Sequence, residues 1–96
     1  MAALKDILSR RDEILRVAAK HGARNVRLFG SVVRGEAKES SDVDVLVKLD
    51  EDRSLLDHVA LKQDLEDLLG CKVDVVTEGA LHKLLRDRIL QEAVPL

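Results

Sequence analysis

The stretch "VRLFGSVVRGEAKESSDVDVLVKL", residues 26–49, decides the fold. Two parts of it, residues 25–29 and 42–49, alternate apolar with polar residues, as a β-strand with one buried face does. Between them, Gly30-Ser31 ends the first strand and opens a short helix to about residue 37, and "KESS" forms a polar turn. The stretch therefore predicts two strands joined by a short helix and a turn.

The sequence on either side of this stretch predicts helices and one more strand. Apolar residues recur at helical spacing before it and in two later segments, and "CKVDVV" between those segments predicts a third strand. Ser54 is a good N-cap for the helix that runs to about Leu69, and Thr77 is expected to cap the last helix. The predicted helices cover residues 3–20, residues 54 to about 69, and a last segment that begins at Thr77 and stops before Pro95. The expected inward residues of the second are Leu55, Val59, Leu65 and Leu69.

The order of these elements limits the topology to a small mixed sheet. A strand–helix–strand crossover links the second strand to the third, so these two strands should be parallel. The first two strands must be antiparallel if Gly30-Ser31 is to meet Asp42. The prediction is a single α/β domain over residues 1–96, or α+β on a stricter definition, with about three strands and helices packed against them.

The composition restricts the classes of function. Seventeen Leu and twelve Val against one Phe indicate an aliphatic core, and acidic residues exceed basic ones by 18 to 16. This charge balance, with no Trp or Tyr, argues against direct nucleic-acid binding. No run of residues has the length and apolar character of a membrane span or a signal peptide, and the lone Cys71 fits a reducing compartment. The expectation is a soluble cytoplasmic domain without membrane contact.

Three aspartates carry the first chemical signal. Asp42 and Asp44 share one face of the second strand, and Asp74 interrupts the third strand in the same manner. Two unit charges ~4 Å apart repel by about 4 kcal/mol at an effective dielectric near 20, which is a large cost for a small domain. A divalent cation would relieve this repulsion, and oxygen-only ligands favour Mg²⁺, which is usually completed by substrate phosphates. Asp42, Asp44 and Asp74 are therefore the candidate metal ligands and catalytic residues, with Asp74 helping to deprotonate an attacking hydroxyl.

The Gly-Ser pair supplies the second signal. A glycine where a strand turns into a helix lets the backbone approach a ligand, and the first N–H groups of a helix can bind an anion. Ser31 adds a hydroxyl donor, and Arg34 can direct its guanidinium at the same phosphates. Gly30, Ser31 and Arg34 are therefore the candidate phosphate-binding residues.

These residues together resemble a known superfamily. Gly30-Ser31, the Asp42-Val43-Asp44 triplet and a later Asp74 are similar to the motif of nucleotidyltransferases related to DNA polymerase beta. More narrowly, "FGSVVRGEAKESSDVDVLV" resembles the minimal nucleotidyltransferases, the MNT or MntA-like antitoxins that pair with HEPN-domain toxins. The resemblance extends over about residues 22–94 and includes the final "RILQEAVPL". Val32-Val33 depart from it, since many relatives have a basic residue followed by Ala there.

The resemblance implies a nucleotidyltransferase fold and a specific activity. It implies Mg²⁺ at the three aspartates, a triphosphate at Gly30 and Ser31, and transfer of AMP from ATP to a tyrosine hydroxyl of a HEPN toxin. Two alternatives stay open. The chain is either a binding module that silences its partner by occluding it, or a transferase that modifies a small molecule, as the aminoglycoside-modifying relatives do.

Overall fold

The computed structural model describes residues 3–36 and 42–96, so the predicted "KESS" turn lies outside the described residues. Helices and strands alternate along most of the chain, and a 3₁₀ turn at Glu78–Ala80 precedes the last helix. In chain order, the elements are α1 Leu4–Leu8, α2 Arg11–Lys20, β1 Ala23–Phe29, α3 Ser31–Arg34, β2 Val43–Leu49, α4 Leu55–Leu69, β3 Val73–Thr77, α5 Lys83–Glu92 and β4 Val94–Pro95.

The strands form a four-stranded mixed sheet in the order β3-β2-β1-β4. β1 is antiparallel to β2, and β2 is parallel to β3, which confirms the predicted topology. The sheet has one strand more than the three predicted from the sequence. This fourth strand contains only two residues, and one of them, Pro95, has no N–H to donate to a ladder, so it carries little strand signal. It pairs with β1 at the edge of the sheet, where a proline is tolerated.

The core lies between one face of this sheet and helices α2 and α4. Val43, Val45 and Val47 of β2 are buried on this face, as the alternation predicted. The opposite face carries Asp44 and Asp74, the residues on which the functional prediction rests. The β-strand period of two thus separates the aliphatic core from the candidate site.

The single helix predicted over residues 3–20 is two helices in the structure. Ser9 lies at the break, and its hydroxyl donates a hydrogen bond to the carbonyl oxygen of Asp6 at 2.6 Å. Serine side chains compete in this way for backbone groups that a continuous helix would use. No helix within the described residues is long and apolar enough to cross a membrane.

The predicted inward face of α4 is partly wrong. Leu65 is buried, but Leu55 and Val59 are 74% and 55% exposed. The face in contact with the sheet includes His58, whose Nε2 lies 2.7 Å from the carbonyl oxygen of Val75, and it continues to the buried Leu61. Because one inward position is a histidine, the apolar pattern alone assigns the wrong phase to the first two turns.

The last helix begins later than predicted. Thr77 belongs to β3 and makes no side-chain cap, and the 3₁₀ turn follows it. The N-cap of α5 is His82, whose Nδ1 accepts a hydrogen bond from the Leu84 amide at 3.3 Å. Leu84 and Leu85 are 81% and 53% exposed, so these two leucines do not belong to the core.

Candidate active site

The centre of the site is a pair of aspartates on adjacent parallel strands. Asp44 of β2 is the direct register partner of Asp74 of β3. Side chains at partner positions of adjacent strands project from the same face, so the two carboxylates are neighbours. Asp42 lies just before β2, is exposed, and precedes Asp44 by two residues.

Gly30 packs closely against one member of this pair, Asp44. It has φ 78° and ψ −154°, a backbone conformation that is essentially restricted to glycine. A Cβ added at Gly30 would overlap the carboxylate oxygen Oδ2 of Asp44. Phe29, the residue before it, is the register partner of Asp44 across β1 and β2. The end of β1 therefore brings the Gly-Ser turn to the aspartates, as the antiparallel arrangement required.

Ser31 and Arg34 are the first and last residues of the short helix α3. Ser31 is partly exposed, and the helix ends at Gly35 with φ 73°. The guanidinium of Arg34 is bound by carboxylates on two sides, with Nε 3.2 Å from Glu36 and Nη1 3.1 Å from Glu92. The hydrogen bond to Glu36 and the interactions with Glu92 raise the pKa of Arg34 above its ordinary value.

Asp44 has the opposite electrostatic environment. Burial is the first cause that raises the pKa of Asp44, and the charges of Asp74 and Asp42 raise it further. Arg34 acts in the other direction and lowers it. A carboxylate with two like charges beside it is a site that gains from a bound cation.

A known protein family matches almost the whole chain, including the glycine turn and the aspartates. The sequence profile of the nucleotidyltransferase domain matches residues 4–96. The chain belongs to the nucleotidyltransferase domain family. This membership confirms the resemblance that the Gly-Ser and Asp-Val-Asp motifs indicated, and it makes the protein a nucleotidyltransferase enzyme.

Similar proteins of known name and structure agree with this assignment. The nucleotidyltransferase is 47% identical over 75 residues to the protein adenylyltransferase MntA of Thermococcus cleftensis, covering 78% of this chain and 76% of that one. It is also 52% identical to a solved structure provisionally described as a minimal nucleotidyltransferase, with a TM-score of 0.89 and coverage of 98% and 96%. The predicted nucleotidyltransferase fold is confirmed by this match.

A more distant structure shows the same fold within a complex. It is the tri-AMPylated HEPN toxin of Shewanella oneidensis bound to an MNT antitoxin, with 18% identity and a TM-score of 0.70. The match covers 92% of this nucleotidyltransferase and 69% of that chain. At this identity the similarity concerns the fold.

The donor set of the nucleotidyltransferase fits Mg²⁺. The carboxylates of Asp42, Asp44 and Asp74 offer only oxygen atoms, which a hard cation prefers. Within residues 3–36 and 42–96, no group of three or more His, Cys, Asp or Glu side chains is close enough to hold a metal by itself. A cation at Asp44 and Asp74 would therefore need further ligands, which Mg²⁺ usually takes from water and substrate phosphates.

The sequence prediction missed one charged residue of this site. Glu92, at the end of α5, accepts a hydrogen bond from the Gly30 amide at 2.9 Å, across 62 residues of sequence. A cleft of about 400 Å³ is lined by Phe29, Gly30, Arg34, Arg88, Ile89 and Glu92. The segment "RILQEAVPL" was recognised as part of the family pattern, but nothing in its spacing places Glu92 beside Gly30.

Proposed function

We propose that this nucleotidyltransferase transfers AMP from ATP to a tyrosine hydroxyl of a HEPN-domain toxin and so acts as its antitoxin. The observation that carries the proposal is the register pair Asp44–Asp74, with Gly30 packed closely against Asp44. The name of the Thermococcus cleftensis relative supports protein adenylylation, and the Shewanella oneidensis complex supports a HEPN partner that carries AMP.

Each candidate residue has a role in this reaction. Gly30, Ser31 and Arg34 bind the phosphates of ATP and orient the α-phosphate toward the aspartates. Asp74 accepts the proton of the attacking hydroxyl. The hydroxyl oxygen forms a bond to the α-phosphorus, the bond from that phosphorus to the bridging oxygen breaks, and pyrophosphate leaves.

Asp44 and Asp74 would hold Mg²⁺, with Asp42 and the substrate phosphates as further ligands, and its positive charge would offset the negative charge that develops on the phosphate oxygens. The electrostatics of Asp44 support this role. Its pKa is raised by burial and by two neighbouring carboxylates. A cation that neutralises these carboxylates would therefore stabilise the ionised protein.

One assay tests the proposal. The purified chain is incubated with Mg²⁺, ATP labelled at the α-phosphate and the HEPN toxin. We expect label on the toxin that disappears with Asp44→Asn, and that persists with Asp12→Asn, which removes the same charge from an exposed position of α2. No label on the toxin with any variant would contradict adenylylation.

The second candidate function is neutralisation by binding alone. The exposed Leu84 and Leu85 on α5 favour it, because large apolar side chains on a surface are often partner contacts. In that case the toxin would be neutralised without label, and Asp44→Asn would neutralise it as well as the unmodified chain does. Label on a small hydroxyl compound in place of the toxin would indicate the third function, transfer to a small molecule.

A further inference from the structure

Glu92 occupies donors that the proposed reaction needs. Its Oε1 accepts hydrogen bonds from the Gly30 amide at 2.9 Å and from Arg34 Nη1 at 3.1 Å, and its Oε2 lies 3.4 Å from the same Arg34 nitrogen. The Glu92 side chain is 27% exposed, so the contact is partly withdrawn from water. One carboxylate therefore bridges the glycine turn and the arginine.

A carboxylate and a phosphate make the same kind of contact with these donors. Both present charged oxygens to an amide and a guanidinium, and such charge-assisted hydrogen bonds are about twice as strong as neutral ones. A nucleotide phosphate that takes these two donors has to remove Glu92 from them. Glu92 also adds a negative charge close to Asp44, because it is one of the groups that raise the pKa of that residue.

We propose that Glu92 is an internal competitor for the nucleotide. Its carboxylate accepts the hydrogen bonds of Gly30 and Arg34 in the nucleotide-free protein and is displaced when triphosphate binds. This inference rests on the proposed function, since it assigns Gly30 and Arg34 to the phosphates. It goes beyond the roles of the three aspartates and the Gly-Ser pair, because it adds Glu92 to the site and an exchange of its carboxylate for phosphate.

The position of Glu92 allows this exchange without unfolding. It is the last residue of α5, and the backbone is extended at Ala93 directly after it, so a change of side-chain rotamer is enough to move the carboxylate. Arg34 keeps its second hydrogen bond, from Nε to Glu36 at 3.2 Å, when Glu92 leaves. The guanidinium therefore stays near the site while its other nitrogens become available.

The first experiment measures nucleotide affinity by isothermal titration calorimetry. ATP with Mg²⁺, and separately inorganic triphosphate without metal, are titrated into the unmodified protein and into Glu92→Gln. We expect Glu92→Gln to bind both ligands roughly three- to tenfold more tightly. Without the Glu92 carboxylate, a larger fraction of the protein has the Gly30 and Arg34 donors available for phosphate. Asp87→Asn, on the exposed surface of the same helix, removes the same charge and should change the affinity less than about twofold.

The second experiment follows displacement in the unmodified protein. In NMR spectra, the side-chain carboxyl carbon of Glu92 and the amide of Gly30 should both shift on saturation with inorganic triphosphate, while the carboxyl carbon of Asp87 stays in place. Glu92→Asp keeps the charge on a shorter side chain and should give an affinity between the other two proteins. These two measurements remain decisive if Glu92→Gln is too unstable to study.

Two results separate the ways in which the inference can fail. If Glu92→Gln weakens binding or leaves it unchanged, or if the Glu92 carbon does not shift at saturation, Glu92 is a fixed brace of the turn and the competitor role is overturned. If neither the unmodified protein nor the variant binds ATP or triphosphate, the proposed function fails together with the inference.

Discussion

Carboxylates on the two sides of the sheet have pKa values shifted in opposite directions. On the side of α4, the pKa values of three carboxylates are lowered by favourable partners. The backbone N–H of Ser54 lowers that of Asp57, His21 that of Asp64 and Lys62 that of Glu66. On the other side, burial and two like charges raise the pKa of Asp44.

This difference separates structural from functional charges. The carboxylates of α4 have favourable partners for their ionised form. Because they are ionised at neutral pH, they stabilise the fold there. Asp44 carries an electrostatic cost that its own strand could avoid with a neutral residue. Such an unfavourable charge is typical of a site where a bound cation or substrate compensates for it. For this reason Asp44, and not Asp64, is assigned to the active site.

The largest expected effect comes from removing the charge of Asp44. Asp44→Asn should lower the rate of AMP transfer by at least about 10²-fold, because a metal ion contributes several kcal/mol to transition-state stabilisation. The rate is measured from label on the toxin at saturating ATP. Asp64→Asn, on the α4 side, should keep a rate close to that of the unmodified chain, and equal losses in both variants would remove the distinction between the two faces.

Gly30→Ala should have the next largest effect, on stability. Its backbone conformation costs other residues about 1–3 kcal/mol, and the added Cβ overlaps the Asp44 carboxylate, so we expect a loss of about 2–3 kcal/mol in the free energy of unfolding. Urea unfolding followed by circular dichroism measures it. Gly79→Ala is the matched control, because a Cβ there meets no atom within 4 Å and the stability should change little. A loss at position 79 as large as at position 30 would refute the explanation.

The pH dependence of stability tests the α4 side. Asp64 Oδ2 lies 2.6 Å from His21 Nε2, and this contact lowers the pKa of Asp64 in the folded protein. A carboxylate of this kind adds stability above its unfolded pKa and loses that contribution as the pH falls through its folded pKa. Asp64→Asn should therefore be less stable at neutral pH and should lose less stability on acidification. Thermal unfolding from pH 7 to pH 3 measures both, with Asp12→Asn, which removes a carboxylate from an exposed position, as the matched control.

The smallest expected effect is at the start of α4. The Ser54 hydroxyl accepts a hydrogen bond from the Leu56 amide at 3.2 Å, and Asp57 accepts one from the Ser54 amide at 3.0 Å. Ser54→Ala should cost about 1 kcal/mol, and Ser54→Asp should restore most of it, because Asp caps helices as well as Ser does. If Ser54→Asp is as unstable as Ser54→Ala in urea unfolding, the cap is not the source of the loss.

The parts of the fold that follow from local patterns were predictable from the sequence. Alternation in "DVDVLV" separates Asp44 from the buried Val43 and Val45, and this separation holds in the structure. The strand–helix–strand order predicted parallel β2 and β3, from which the shared face of Asp44 and Asp74 follows. These features depend on the strand period and on chain connectivity, both of which can be read from a single sequence.

The remaining features depend on contacts between distant parts of the chain. The two-residue strand β4 exists because Val94 and Pro95 meet β1, and the phase of α4 is set by the contact of His58 with Val75. Glu92 meets Gly30 across 62 residues of sequence for the same reason. Periodicity does not encode such contacts, so the sequence identified the aspartates and the glycine turn but not the carboxylate that occupies that turn.

The most direct test of the account is thermal unfolding of three proteins: the unmodified chain, Asp44→Asn and Asp64→Asn. Without metal or nucleotide, Asp44→Asn should melt higher than the unmodified chain, because it removes a carboxylate whose charge is disfavoured by burial and by Asp74 and Asp42, and Asp64→Asn should melt lower. Mg²⁺ with ATP should raise the melting temperature of the unmodified chain and of Asp64→Asn by more than that of Asp44→Asn. A lower melting temperature for metal-free Asp44→Asn, or equal stabilisation of all three proteins by Mg²⁺ and ATP, would contradict the account.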